Sequence, residues 1–173
     1  MQKVVFLDRD GVINIEKDYL YKIDDFEFID GVFTSLKYLQ KLGFKFVIIT
    51  NQSGIGRGYY NFEQYNVLTK WMKKQFKEKG IDILEVYCCP HAPDENCTCR
   101  KPNIGMIEQT SKIIDIDYEN SWLVGDKSSD IQTAINANIG NSIQVKSGHK
   151  FNEENSKANY IVDSIKDIPT IIK

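Results

Sequence analysis

Short runs of apolar, β-branched residues alternate along this chain with stretches of helical period, and no other feature constrains the fold more. Lys3–Leu7 reads as a strand that ends at Asp8. Phe44–Thr50, FKFVIIT, is apolar enough to be a strand buried on both faces. Further strands are expected at Ile83–Cys88, Ser121–Val124 and Ser142–Val145, with a short one at Tyr160–Val162 before a final helical turn. Between them, Val32–Leu42 carries Val32, Leu36 and Leu39 on one face and stops at Gly43. Asn61 and Gln64 form a capping-box pattern before a helix with the stripe Tyr65, Leu68, Met72 and Phe76, ended by Gly80. Residues Met106–Ile114 and Ser129–Ala137 also read as helices. This alternation predicts an α/β fold, a Rossmann-like three-layer sandwich with a mainly parallel central sheet.

In such sheets ligands bind beyond the carboxyl ends of the strands. The reactive-looking residues sit there: Asp8, Thr50, Cys89 and Asp126 each close or follow a predicted strand. The length of 173 residues suits one domain. With 22 basic and 24 acidic residues, no nucleic-acid surface is expected. No apolar stretch is long enough to span a bilayer, and Val4–Leu7 is too short for a signal peptide. A cytoplasmic monomer without membrane partners is the expectation.

Four stretches carry the chemistry. In FLDRDGVIN, Asp8 and Asp10 are two apart, so in an extended segment both would face one side and could share a hard cation. One could attack phosphorus while the other handles the leaving-group proton. D-x-D-G is equally an ordinary turn after a strand. TNQSGIGRG, Thr50–Gly58, offers a hydroxyl, amides and backbone N–H groups for phosphoryl oxygens, though it also reads as a flexible turn. CRKP, Cys99–Pro102, offers the Lys101 point charge and the Arg100 fork, or else a basic surface pair. In WLVGDKSSD, Asp126 could complete a magnesium site. Asp130 there serves either the metal shell or the helix end.

All four cysteines lie within twelve residues. A disulfide framework would spread them to close loops, so the cluster points to metal. Cys89, His91, Cys97 and Cys99 follow C-x-H-x5-C-x-C, a donor set suited to tetrahedral zinc. Cys88 reads as a small core residue, and His149 as a solvated loop histidine.

Taken in order, D-x-D-G, a Thr, a Lys and G-D-x-x-x-D resemble the haloacid dehalogenase-like phosphatases over roughly residues 3–145. More narrowly, DRDGVIN, TNQSGIGRG, C-P-H…C-x-C-R-K-P, the Gly105-Met106 pair and VGDKSSD are similar to the D-glycero-D-manno-heptose 1,7-bisphosphate 7-phosphatases. The resemblance implies that Asp8 is the nucleophile and Asp10 the acid and base. It implies magnesium at Asp8, the Asp10 backbone carbonyl and Asp126, and zinc in the cysteine loop. Thr50 and Lys101 would bind the transferring phosphoryl group. The sugar phosphate would meet Arg100 and Lys127, residues around Glu16, Lys17, Asp18 and Tyr19, and Asn51, Gln52 and Ser53.

Histidinol-phosphate phosphatases share the zinc loop and are the closest alternative. Polynucleotide 3′-phosphatases fit the acidic balance less well, and a non-catalytic zinc-stabilised domain would leave the intact carboxylates unexplained. One domain over residues 1–173, with a zinc loop at 89–99 and no large cap domain, is expected. Its open site would be walled by Val12–Asp30 and the zinc loop.

Overall fold

The computed structural model describes residues 1–173. Six strands form one sheet: β1 (Val4–Leu7), β2 (Lys45–Asn51), β3 (Ile83–Cys89), β4 (Trp122–Gly125), β5 (Asn141–Val145) and β6 (Tyr160–Val162). Their order is β3-β2-β1-β4-β5-β6, and every pairing is parallel. The strand order reverses direction between β1 and β4, the position where open α/β sheets leave a ligand crevice.

Alternation along the strands builds two cores. Val5, Leu7, Phe46, Ile48 and Val124 face one side, and Val4, Phe6, Val47, Ile49 and Leu123 the other. The first side is covered by α1 (Val32–Lys41) and α3 (Phe62–Glu78), whose buried residues include Leu36, Leu39, Leu68, Met72 and Phe76. α4 (Gly105–Ser111) and α5 (Ser128–Asn136) cover the second through Met106, Ile107 and Ala134. The expected three layers are present.

Asn61 caps α3 as the sequence predicts. Its Oδ1 accepts the Gln64 N–H at 2.9 Å while Gln64 Oε1 accepts the Asn61 N–H at 3.0 Å. Such a cap contributes about 1 kcal/mol. The predicted stripe of Tyr65, Leu68, Met72 and Phe76 is the buried set of that helix. Helix ends differ from expectation by a few residues: α4 stops at Ser111 rather than Ile114, and β3 takes in Cys89.

The segment between β1 and α1 forms no separate lobe. Ile15 N–H donates to the Glu27 carbonyl and Ile29 N–H to the Ile13 carbonyl, both at 2.9 Å. That pairing folds the segment back, and Val12, Ile13, Leu20, Phe26 and Ile29 join the main core. It is a wall of the site rather than a cap. No helix is long and apolar enough to cross a membrane.

Candidate active site

Register brings the reactive residues together. Leu7 pairs with Ile48 on one side and Val124 on the other. Asp8, Thr50 and Asp126 follow within two residues, so all three reach one edge of the sheet. Asp8 is held there by its N–H, which donates to the Val124 carbonyl at 3.0 Å.

Lys101 enters from the loop after β3 and is 4% exposed. Its Nζ lies 2.9 Å from Asp8 Oδ1, 2.6 Å from Asp130 Oδ1 and 2.9 Å from the Ile49 carbonyl. Three partners satisfy all three ammonium donors. Burial alone would favour the neutral amine, but Asp130 and Asp8 outweigh it and hold the Lys101 pKa above the ordinary lysine value. For Asp8 the balance runs the other way. Burial pushes its pKa well up, Asp130 and Asp126 add to the rise, and Lys101 opposes it.

Asn51 fixes the Lys101 backbone. Its Oδ1 accepts the Lys101 N–H at 3.0 Å and its Nδ2 donates to the Lys101 carbonyl at 3.3 Å. Asp130 does two jobs with its two oxygens. Oδ2 accepts the Lys127 N–H at the start of α5 at 3.0 Å, and Oδ1 takes Lys101. The helix-end role is therefore real, and an ion pair accompanies it.

Asp10 departs from the expectation that two carboxylates spaced two apart share one cation. The Asp10 carboxylate lies outside the group formed by those of Asp8, Asp126 and Asp130. The Asp10 carboxylate accepts from Arg9 Nε and Nη2, from Asn14 Nδ2 at 3.0 Å and from Gln52 Nε2 at 3.0 Å. Burial would raise its pKa, yet the Arg9 charge and these donors win and hold it below the ordinary aspartate value. Arg9 is only 1% exposed, and its Nη2 also donates to the Leu20 carbonyl at 2.9 Å. Sequence reasoning missed Arg9, because an arginine between two aspartates reads as a solvated charge.

Gln52 joins the network, donating to Thr50 Oγ1 at 2.8 Å and accepting from the Tyr60 hydroxyl. Burial pushes Tyr60 up to about 12, so its hydroxyl keeps the proton it donates. The loop after β2 is a short helix, α2 (Ser53–Gly56), rather than a flexible turn. Gly54 is required there, since a Cβ would stand 2.2 Å from a Tyr60 ring carbon.

Above these buried groups opens a cleft of about 260 Å³. Asp8, Asp10, Glu16, Asp18, Tyr19, Asn51, Gln52, Ser53, Arg100 and Lys127 line it, as expected from sequence. Arg57, Tyr60 and His149 line it too, though sequence did not single them out for it. Thr50 and Lys101, both buried, are not among its lining residues, and Lys17 is the predicted sugar-phosphate contact that the fold does not bring there. Its ammonium turns to Glu27 Oε1 at 2.5 Å and the Asp25 carbonyl at 2.8 Å. His149 is also not a merely solvated residue, because its Nδ1 lies 2.7 Å from Asp126 Oδ2.

Two groups of side chains suit metals. Asp8, Asp126 and Asp130 bring carboxylate oxygens within 4.8 Å of one another. Asp126 Oδ1 is buried without a hydrogen-bond partner, the kind of orphan acceptor that a hard cation satisfies. The second group is Cys89, His91, Cys97 and Cys99. Cys89 Sγ lies 3.4 Å from His91 Nδ1 and 3.6 Å from Cys97 Sγ, and His91 Nδ1 lies 3.3 Å from Cys99 Sγ. Ligands around a tetrahedral zinc stand roughly 3.5–3.8 Å apart; Cys89 Sγ and Cys99 Sγ are closer, at 2.9 Å, so the donor set suits zinc while that pair would have to open to admit it. All four cysteines are free thiols, and half-buried Cys88 stands outside the cluster in β3. The loop also steers Arg100, whose N–H points to Cys97 Sγ at 3.4 Å and whose Nη1 donates to the His91 carbonyl at 3.3 Å.

The sequence matches the family described as polynucleotide kinase 3 phosphatase over residues 3–155. A Photorhabdus laumondii protein named D-glycero-alpha-D-manno-heptose-1,7-bisphosphate 7-phosphatase is 50% identical over 163 residues, 90% of this chain and 89% of that one. The chain belongs to the heptose-bisphosphate phosphatase family of haloacid dehalogenase-like enzymes. An Escherichia coli K12 member, named for the beta anomer, is 40% identical and covers 98% of this chain and 93% of its own length. A solved member from B. bronchiseptica, complexed with magnesium and phosphate, superposes with a TM-score of 0.84 at 26% identity, covering 98% and 97% of the two chains. Membership in this family makes the chain a phosphoric monoester hydrolase, and the parallel sheet with its reactive carboxyl edge is the fold that family uses.

Proposed function

We propose that this protein hydrolyses the 7-phosphate of D-glycero-D-manno-heptose 1,7-bisphosphate, in the synthesis of activated heptose for surface polysaccharide. The observation that carries the reading is the buried pair of Asp8 and Lys101 at 2.9 Å, with Asp8 lining a polar cleft. That pair supports reading Asp8 as a carboxylate nucleophile beside a cation that can bind phosphoryl oxygens. Relatives named for the same bisphosphate, aligned over nearly the whole chain, support the substrate.

Asp8 attacks phosphorus in line with the sugar oxygen, forming an aspartyl phosphate as the bond to that oxygen breaks. Asp10, having taken up a proton, gives it to the leaving oxygen. In the second step Asp10 takes a proton from water, which attacks the same phosphorus and releases inorganic phosphate and free Asp8. The Arg9 contacts favour the ionised form, so Asp10 is best prepared for the second step. Thr50 and Lys101 hold the phosphoryl oxygens, while Arg100, Lys127 and the wall around Glu16–Tyr19 hold the sugar and its second phosphate.

Magnesium would be held by Asp8, Asp126 and the Asp10 backbone carbonyl, where it would neutralise developing charge on the phosphoryl group. Zinc would be held by Cys89, His91, Cys97 and Cys99, where it would stabilise the loop that presents Arg100 and Lys101. The reading carries with it a cytoplasmic, monomeric enzyme of one domain.

The test is kcat/KM on the alpha and beta heptose bisphosphates and on histidinol phosphate, with 31P NMR locating the phosphate removed. Either heptose anomer should exceed histidinol phosphate by at least about 100-fold, roughly 2.7 kcal/mol in transition-state binding. Equal or higher activity on histidinol phosphate would replace this reading, and inertness towards all three would remove it.

A further inference from the structure

Asp126 is completely buried, and its two oxygens live in different surroundings. Oδ2 accepts the His149 backbone N–H at 2.7 Å and lies 2.7 Å from His149 Nδ1. Oδ1 is buried and has no partner. A carboxylate with one oxygen saturated by two donors and the other left bare is oriented, and the bare oxygen is the one available to a cation.

The donors come from the loop after β5, far from Asp126 in sequence, and that loop is itself anchored. Ser147 Oγ donates to the Gly11 carbonyl at 2.7 Å, tying the loop to the D-x-D-G turn. Gly148 passes so close that a Cβ would lie 2.2 Å from Asp126 Oδ2, so only glycine lets the backbone reach the carboxylate. His149 also lines the cleft, and the same Nδ1 lies 4.0 Å from Glu16 Oε2. Since Nδ1 faces Asp126, a neutral ring meets that carboxylate as the Nδ1–H tautomer.

From this geometry we infer that His149 is a positioning residue for the magnesium site, fixing Asp126 through Oδ2 so that Oδ1 is presented to the ion. The inference rests on the reading of Asp126 as a magnesium ligand. It assigns His149 no contact with the reacting atoms.

The experiment is calorimetric titration of Mg2+ into the substrate-free, zinc-loaded protein, with His149→Ala, His149→Asn and Asp126→Asn as variants. Loss of an outer partner to a metal ligand typically weakens binding about 10–100-fold. The backbone N–H survives in His149→Ala, so a rise in Kd of about tenfold is expected. His149→Asn keeps a short side-chain donor and should recover most of that loss. In assays, the Mg2+ concentration for half-maximal rate should rise in His149→Ala while kcat at saturating Mg2+ stays within about twofold of the parent.

If Asp126→Asn abolishes Mg2+ binding and His149→Ala leaves Kd within twofold, the inference about His149 fails alone. If Asp126→Asn binds Mg2+ like the parent, the site itself has been misassigned. Should His149→Ala fold poorly, His149→Val and His149→Asn decide: a Kd raised about tenfold in His149→Val and largely restored in His149→Asn supports the inference, and a Kd within twofold of the parent in both overturns it.

Discussion

The Arg9 guanidinium grips the carboxylate of its own neighbour Asp10, with Nη2 3.0 Å from Oδ1 and Nε 3.1 Å from Oδ2. Both partners are largely removed from water, and Nη2 also holds the Leu20 carbonyl, so the contact links Asp10, the proposed acid and base, to the wall of the cleft. Breaking a buried pair by deleting one partner costs about 3–5 kcal/mol, because the other charge is left without compensation. Arg9→Ala should therefore lower the unfolding free energy measured by urea titration by an amount in that range. Arg9→Lys should recover only part of it, since a point charge cannot reproduce the fork.

The same contact sets a pH dependence. Asp10 is held below the ordinary aspartate value of 3.8, so the unfolded chain binds its proton more readily than the folded one. The stabilisation is present above 3.8 and disappears only as pH falls through the lower folded value. Urea midpoints of parent and Arg9→Ala should differ most above that pH and converge below it. A gap that stays constant down to pH 2 would show that Asp10 is not the group involved.

Asp8 has the opposite sign. Burial raises its folded pKa well above 3.8, so without magnesium its ionisation opposes folding. Stability should fall as pH rises from 3.8 towards that raised value, and Mg2+ should reduce the fall. Asp8→Asn removes the titrating group. It should lower kcat by roughly 10⁴-fold or more while flattening this part of the pH–stability curve. Thermal unfolding at matched pH, with and without Mg2+, reads the effect. An unchanged slope in the variant would assign the dependence to another group.

Lys101 is the only ammonium that Asp8 and Asp130 share. Lys101→Ala leaves those two carboxylates and Asp126 facing one another without it. A loss of about 3–5 kcal/mol is expected, together with loss of phosphatase activity. Because the like charges are then uncompensated, Mg2+ should stabilise the variant more than the parent. The comparison is the Tm shift on adding saturating Mg2+ to each, and a smaller shift in the variant would contradict the electrostatic account.

How far these features were legible in sequence follows from their range. The α3 cap and stripe could be read because Asn61, Gln64 and the Tyr65–Phe76 stripe act within one helix. Asp8, Thr50, Lys101 and Asp126 could be found because each belongs to a short motif, and register then joins them. Arg9 could not be read as buried, because its cover comes from Leu20 and Gln52. His149 could not be paired with Asp126, because 23 positions separate them and only the Gly148 approach makes contact possible. Lys17 fails in the reverse direction: a cation near the motif found a local partner in Glu27 instead of facing the cleft.

The proposed zinc loop and the proposed phosphate site are joined through consecutive residues, since Cys99 is followed by Arg100 and Lys101. Cys97 holds this junction from both ends, as a donor in the four-residue cluster and as acceptor for the Arg100 N–H. Cys97→Ser replaces a soft ligand with a weakly coordinating hydroxyl, leaving three donors. Structural zinc binding contributes directly to folding free energy, so the loss should appear in stability as well as in metal content. Zinc per chain should fall well below one, and Tm should drop by about 5 °C or more. The ratio kcat/KM should fall with both, because Arg100 and Lys101 lose their anchor. Lys101 keeps its Asn51 clamp and its ion pairs, so activity should decline rather than vanish. A folded, zinc-free variant with full activity would separate the loop from the phosphate site.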